Sequence, residues 1–114
     1  AVIHLVGIIR EFPGKGVTFK KLHTEATRNA LAAAAECGVG RFLQMSANGT
    51  RANADTGYHQ TKWQAEEAVR SSSLDWTIFR PSLIYGKDGE FVTMMKELVS
   101  KLPVVPVIGD GKYR

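Results

Sequence analysis

At 114 residues, with a formal net charge of +4 and a hydrophobic fraction of 44%, the chain is the size of one domain or part of one and too apolar for wholesale disorder. Its longest apolar runs, near residues 2–9 and 103–108, are too short to cross a bilayer, and the opening stretch has neither the basic leader nor the cleavage site of a signal peptide. The single cysteine, Cys37, excludes an intrachain disulfide and a cysteine-built metal cluster; a small buried apolar role at the end of a helix, in a reducing cytoplasmic setting, is expected for it.

The basic residues are scattered (Lys20, Lys21, Arg28, Arg51, Arg70, Lys96 and Lys101) with glutamates between them. That is the pattern of solvated helix faces, not of an arginine-aromatic stripe, and nucleic acid is not expected as a partner. Asn48-Gly49-Thr50 fits a glycosylation sequon but reads as a turn where nothing signals secretion.

In chain order, Ala1-Val2-Ile3-His4-Leu5-Val6-Gly7 is β-rich on both faces, as a central parallel strand is. Gly7 closes it, where a missing side chain lets a ligand approach; His4 reads as a hydrogen-bonded core histidine. Pro13, Gly14 and Gly16 make residues 11–16 a loop, and Gly14-Lys15-Gly16 lacks the spacing of a phosphate loop. From about residue 18, Phe19, Leu22, Ala26, Ala30, Ala33, Ala34 and Cys37 recur at helical spacing, with Thr18 as N-cap and Gly38 as stop. Residues 41–46 read as a buried strand, 47–57 as a small-residue loop, and 57–70 as a helix with Ala65, Ala68 and Val69 inward. Residues 75–79 form a third strand, after which Pro81 keeps Arg80 extended and the chain leaves the sheet. A third helix over 90–101 sets Phe91, Met94, Met95, Leu98 and Leu102 on one apolar side, read as core filler. Two prolines confine a short strand at 103–108 to an edge, and Asp110-Gly111 is a turn. Strands alternating with helices predict βαβ units and a parallel sheet. A buried-type strand opens the chain and no glycine-rich strand-to-helix turn occurs, so part of a domain is expected.

The chemistry gathers around Tyr58 and Lys62. Residues four apart share a helix face, so a phenol and an ammonium enter the same space just past the strand that carries Ser46. Ligands of open α/β sheets bind outside the carboxyl ends of the strands. A fixed positive charge favours the ionised phenol, which makes a plausible acid/base pair. The plainer reading of Lys62 is an exposed helix pair with Glu66, itself spaced to meet Lys62 or Arg70.

Four stretches in this order carry a family resemblance: Val2-Ile3-His4-Leu5-Val6-Gly7, Gly38-Val39-Gly40-Arg41-Phe42-Leu43-Gln44-Met45-Ser46, Tyr58-x-x-x-Lys62, and Phe79-Arg80-Pro81-Ser82-Leu83-Ile84-Tyr85-Gly86. Together they resemble the extended and atypical short-chain dehydrogenase/reductases, the branch with NAD-dependent epimerase/dehydratases and the nucleotide-binding accessory subunit of respiratory complex I. Val107-Ile108-Gly109-Asp110-Gly111 also suits the next stretch of such proteins. The resemblance implies the second half of a single doubly wound, Rossmann-like α/β domain, from its fourth strand onward. The first half would hold the glycine-rich pyrophosphate turn and the residue that chooses NAD or NADP.

By the same resemblance Tyr58 is the general acid/base, and Lys62 holds the nicotinamide ribose while lowering the phenol's pKa. Leu5, Val6 and Gly7 line the adenosine side, and Pro81, Ser82 and Leu83 the nicotinamide side, largely through backbone. Ser46 is carried as the third catalytic and cofactor-contacting residue, although it falls one position early and Ala47 occupies the usual place; Asn48 and Thr50 are the substitutes. His23 stands where many relatives have an asparagine supporting a proton relay, and reads equally as a surface residue. The implied function is an NAD(P)-dependent oxidoreductase or epimerase, or, in the other class, a dinucleotide-holding subunit or assembly factor. No metal is expected. These 114 residues alone are expected to bind dinucleotide weakly and to be covered at an open sheet edge or to form a homo-oligomer through that edge or the helices.

Overall fold

A computed structural model describes residues 1–84, 86 and 90–104. They fall into two compact units, Ala1–Ser82 and a second that begins at Leu83. The first holds β1 (Val2–His4), α1 (Ala26–Glu36), β2 (Arg41–Met45), α2 (Gly57–Arg70) and β3 (Asp75–Phe79). The three strands are parallel in the order β1-β2-β3, with Val2 opposite Phe42 and Gln44 opposite Ile78. Residues in register share a face, because side chains alternate along a strand. The face with Phe42 is covered by Leu31 and Ala34 of α1 and Val69 of α2, joined by Val2, Ala68, Leu74 and Ile78. On the other face Ile3 and Phe79 stay 64% and 47% exposed. β1 is shorter than expected, and among the described residues it lies at the sheet's edge, where an open first strand is expected.

α1 is entered through a π-helical turn, Lys20–Glu25. Thr18 caps it as expected, its Oγ1 accepting from the Lys21 amide at 3.3 Å, and the Glu11 carboxylate accepts from the Phe19 amide at 2.7 Å. The buried stripe is His23, Thr24, Thr27, Leu31 and Ala34, about one position round from the apolar stripe the periodicity picks out. Ala33 is left exposed. Cys37 is exposed too, not the small buried residue expected. The reason lies across the interface. Thr24 donates to the Thr61 carbonyl at 3.1 Å, and Thr27 donates to the His23 carbonyl at 2.7 Å with Gln44 Oε1 at 3.5 Å. Hydrogen-bonded threonines are buried at little cost, and alanines offer little apolar area in competition.

α1 stops at Gly38, whose φ of 65° is left-handed. The Gly38 and Val39 amides bond back to the Ala35 and Ala34 carbonyls, which completes a Schellman motif. His4 is buried against Phe42, ring centroids 6.0 Å apart. The core histidine is buried as expected, but its Nδ1 has no hydrogen-bond partner. Burial lowers its pKa.

The second unit holds α3, Glu90–Lys101, with a Lys101–Glu97 ion pair at 2.9 Å. Of its expected apolar side, Met94, Leu98 and Leu102 are 58%, 40% and 40% exposed among the described residues. Periodicity tells which residues share a side, not whether another surface is laid upon it. Tyr85, the expected strand beyond Val104 and the turn at Asp110-Gly111 lie outside the described residues.

Candidate active site

Thr56 opens α2: it is extended, with φ −113° and ψ 142°, and its hydroxyl accepts from the His59 amide. Tyr58 therefore falls in the first turn and Lys62 in the second. Lys62 is 5% exposed, so the exposed pair with Glu66 is not what forms. Its Nζ donates to the carbonyl of Met45, the last residue of β2, at 3.2 Å. Burial lowers its pKa, and the Glu66 carboxylate opposes that shift.

Gly7, just past β1, faces this ammonium. A Cβ on Gly7 would lie 2.9 Å from Lys62 Nζ and 3.7 Å from two atoms of the His23 ring. Bare backbone and buried cation thus share the space at the carboxyl ends of β1 and β2. Because Nζ is the free end of a flexible chain, Gly7→Ala is expected to cost under ~1 kcal/mol of stability while turning the ammonium away from Met45. Thermal melting and a crystal structure of the variant check both halves.

Tyr58 is half-buried, edge-on to the rings of Phe19, His23 and His59 at centroid distances of 5.6, 5.1 and 5.0 Å. Burial pushes its phenol up from the ordinary value. The expected lowering by the neighbouring lysine is therefore not found: the ammonium, directed at Met45, does not offset the desolvation of the ring. The raised value favours the protonated phenol at neutral pH.

His23 is buried, 1% exposed, not a surface residue. Its Nδ1 lies 2.9 Å from Thr61 Oγ1, and its Nε2 lies 3.2 Å from the Ile8 amide nitrogen and 3.1 Å from the Ile8 carbonyl oxygen. Burial, then the Lys62 charge, push its pKa down to about 4, against opposing contributions from Ile8 and Glu11. A base with a depressed folded pKa leaves the unfolded chain holding more protons between 6.5 and about 4. Stability is then intact above pH 6.5 and declines as the pH falls through that window, by on the order of 3 kcal/mol. Urea unfolding at pH 7 and pH 4.5 measures this decline; His23→Gln is expected to remove most of it, leaving the smaller contribution of His4.

Ser46 does not present its hydroxyl to this space. It is buried, its amide donates to the Phe79 carbonyl at 2.7 Å, and its Oγ lies 3.4 Å from Thr50 Oγ1. Ser46 also helps hold the Glu66 carboxyl below its ordinary pKa. Ser46, expected to touch cofactor or substrate, thus has its hydroxyl turned toward Thr50. Neither substitute replaces it. Thr50 is buried, and Asn48 folds its side chain onto the Gly49 amide at 3.0 Å. The Asn48 amide does donate to the Pro81 carbonyl at 2.8 Å, tying together the loops that follow β2 and β3. Leu5 and Val6 emerge exposed past β1, Pro81 and Ser82 close the first unit, and Leu83 belongs to the second.

Sequence reasoning missed the role of Glu66. Fully buried, it takes Arg80 Nε on Oε1 at 2.8 Å and Arg80 Nη2 on Oε2 at 2.6 Å, with Arg70 on Oε2 as well. Burial alone would raise its pKa, but the bonds from Arg80, Ser46 and Arg70 outweigh burial and hold the carboxyl below its ordinary value. Both guanidinium groups also lie over Trp63, at 4.9 Å for Arg70 and 5.8 Å for Arg80. The signal in the sequence was the pairing of Glu66 with Arg70, four residues on. Arg80 comes from another element and leaves no local pattern. Among the described residues no group of histidine, cysteine and acidic side chains would hold a metal ion, and no described helix is long and apolar enough to cross a membrane.

Comparison with known proteins bears on this geometry. The family model described as NAD(P)H-binding matches residues 3–102. The chain is 31% identical over 111 residues to the Arabidopsis thaliana protein named NADH dehydrogenase [ubiquinone] 1 alpha subcomplex subunit 9, mitochondrial, covering 96% of this chain and 27% of that one. It is 30% identical over 108 residues to a ceramide reductase of Caulobacter vibrioides, covering 95% of this chain and 33% of the relative. Among solved structures, a putative NAD-dependent epimerase/dehydratase from Bacillus halodurans matches with a TM-score of 0.65 and 25% identity, over 79% of this chain and 44% of that one. The partial Rossmann-like α/β fold is thereby shown, and the chain spans about a third or less of the length of these curated relatives. The plant relative is named as mitochondrial, so the cytoplasmic setting expected from the lone cysteine is not supported.

Proposed function

Because the chain belongs to the NAD(P)H-binding family, we propose that it is the second half of a single dinucleotide-binding domain in an NAD(P)-dependent oxidoreductase or epimerase. The observation that carries this reading is the Lys62 ammonium, buried at the carboxyl ends of β1 and β2 against a glycine whose absent side chain leaves room beside it. A nicotinamide dinucleotide fits that cradle: the approach needs bare backbone, and the ribose hydroxyls need a donor. When bound, it supplies hydride transfer at the nicotinamide ring. Lys62 holds the nicotinamide ribose, and the backbone of Leu5, Val6 and Gly7 lines the adenosine side. Pro81 and Ser82 border the nicotinamide side. Tyr58, protonated at neutral pH, gives a proton to a substrate oxygen as the acid of the reducing direction.

A second reading, a dinucleotide-holding subunit without turnover, draws on a specific observation: Ser46 is buried and Ala47 has no hydroxyl to orient a substrate. Titrating the whole protein with NADH and NADPH, as wild type and as Lys62→Met, tests the binding that both readings share. Lys62→Met is expected to weaken the preferred dinucleotide about tenfold, the loss of one charged hydrogen-bonding group. Equal affinity would remove the reading.

A further inference from the structure

We propose that the hairpin of residues 9–17, with Lys20 and Lys21 beside it, docks the protein on a bilayer surface that carries anionic headgroups. Residues 10–21 hold Arg10, Lys15, Lys20 and Lys21 against Glu11 alone, so four positive charges less one negative put +3 of the chain's formal +4 on one short segment. All four cations are exposed, and none of them meets an acidic side chain among the described residues. Among these charges stand two large apolar side chains, Ile9 at 80% and Phe12 at 48% exposed. Single exposed apolar residues are ordinary, but a pair set inside a basic segment is an interaction surface.

Backbone bonds hold the hairpin in shape. The Phe12 amide donates to the Val17 carbonyl at 2.8 Å, and the Val17 amide donates back to the Phe12 carbonyl at 3.2 Å. The turn Pro13–Lys15 closes with the Gly16 amide on the Pro13 carbonyl at 2.9 Å, and Gly16 takes a left-handed φ of 70°. A Cβ on Gly16 would lie 3.4 Å from Lys21 Nζ, so the Lys21 ammonium stands at the hairpin's tip with Lys15. Glu11 fixes the base by accepting from the Phe19 amide at 2.7 Å. Little further ordering has to accompany docking. Cations beside apolar side chains at a fixed tip match an anionic interface: the ammonium groups stay among the headgroups on their long stems while Ile9 and Phe12 enter the acyl boundary. A hairpin this short is too small to supply the roughly 800 Å² a side of a stable protein interface. It also lacks the arginine-aromatic stripe that would suit nucleic acid. The hairpin follows the carboxyl end of β1, where Gly7 faces Lys62, so docking turns that end of the sheet toward the bilayer.

Co-sedimentation of the whole protein with vesicles of phosphatidylcholine alone, and of phosphatidylcholine with phosphatidylserine, tests this. The mixed vesicles are expected to bind at least about tenfold more tightly, and molar salt to abolish the difference. Lys15→Ala with Lys21→Ala should weaken binding about twentyfold, near fivefold for each basic residue at an anionic surface. Ile9→Ser with Phe12→Ser should weaken it about tenfold while melting moves by no more than about 2 °C. Arg51→Ala with Lys101→Ala, the same change of charge away from the hairpin, should leave binding within about twofold. Equal binding to both kinds of vesicle overturns the proposal, as do hairpin variants that bind like wild type or a control pair that loses as much as the lysine pair. A fall of several degrees in the melting temperature of the Ile9→Ser, Phe12→Ser protein overturns it too, because the rest of the protein would then already cover those side chains. Weaker binding in the lysine pair but not in the apolar pair would mark a site for soluble polyanions, and the bilayer reading would fail.

Discussion

Tyr58→Phe is expected to lower turnover of the whole protein a hundredfold or more, the ordinary contribution of a positioned general acid, with dinucleotide affinity changed less than about threefold. The ring sits edge-on among Phe19, His23 and His59, contacts a phenylalanine keeps, so melting is expected to move by no more than a few degrees. What the variant lacks is the proton. The wild-type phenol is raised above its ordinary 10.0 by burial, so it is protonated through the neutral range and loses its proton only as the pH climbs past that value. Activity in the reducing direction should therefore stay level through neutral pH and fall on the alkaline side, and the residual activity of the variant should lack that limb. Steady-state rates with NADH or NADPH and a carbonyl substrate, across pH, check this. Dinucleotide binding with no turnover in wild type would instead favour the holding subunit.

The second large effect concerns the ion cluster beneath the site. Arg80→Leu is expected to destabilise the fold by about 2–3 kcal/mol, less than the 3–5 typical of breaking a buried pair, because Arg70 still meets Glu66. The loss comes chiefly from leaving a fully buried carboxylate with too few donors. Its pH dependence is diagnostic. In the wild type the Glu66 pKa lies below the ordinary 4.5, so its contribution is present above that value and lost as the pH falls through the folded pKa. Without Arg80, burial dominates and the folded pKa moves above 4.5. The variant then regains stability as acid protonates Glu66, and the gap to wild type narrows between pH 7 and pH 5. Removing both partners, as Glu66→Met with Arg80→Met, should cost less than Arg80→Leu alone. Urea denaturation at the two pH values measures all three chains.

The sequence placed α2 at 57–70, β3 at 75–79 and α3 at 90–101, the bounds the structure has, because each is framed by local punctuation: Thr56 and Gly57 for α2, Asp75 and Arg80-Pro81 for β3, and Pro103 past the end of α3. It also put Tyr58 and Lys62 one turn apart at the end of β2. The buried face of α1 escaped it, since the choice between an alanine stripe and a threonine-histidine stripe depends on Gln44 and Thr61, far along the chain. For Ser46 the position was legible and the direction was not. Its hydroxyl turns inward because Glu66 and Arg80, brought together by the fold, make the interior polar there. The descent of Lys62 into the core has the same origin: the Met45 carbonyl accepts it, and Gly7 leaves it room.

A structure of the whole protein with its dinucleotide bound is the most direct measurement. The account predicts the Lys62 ammonium on the nicotinamide ribose, the Gly7 backbone against the cofactor, and the Tyr58 hydroxyl opening toward the nicotinamide. A cofactor seated elsewhere, with Lys62 still bound only to Met45 and the phenol closed against Phe19 and His23, would contradict it.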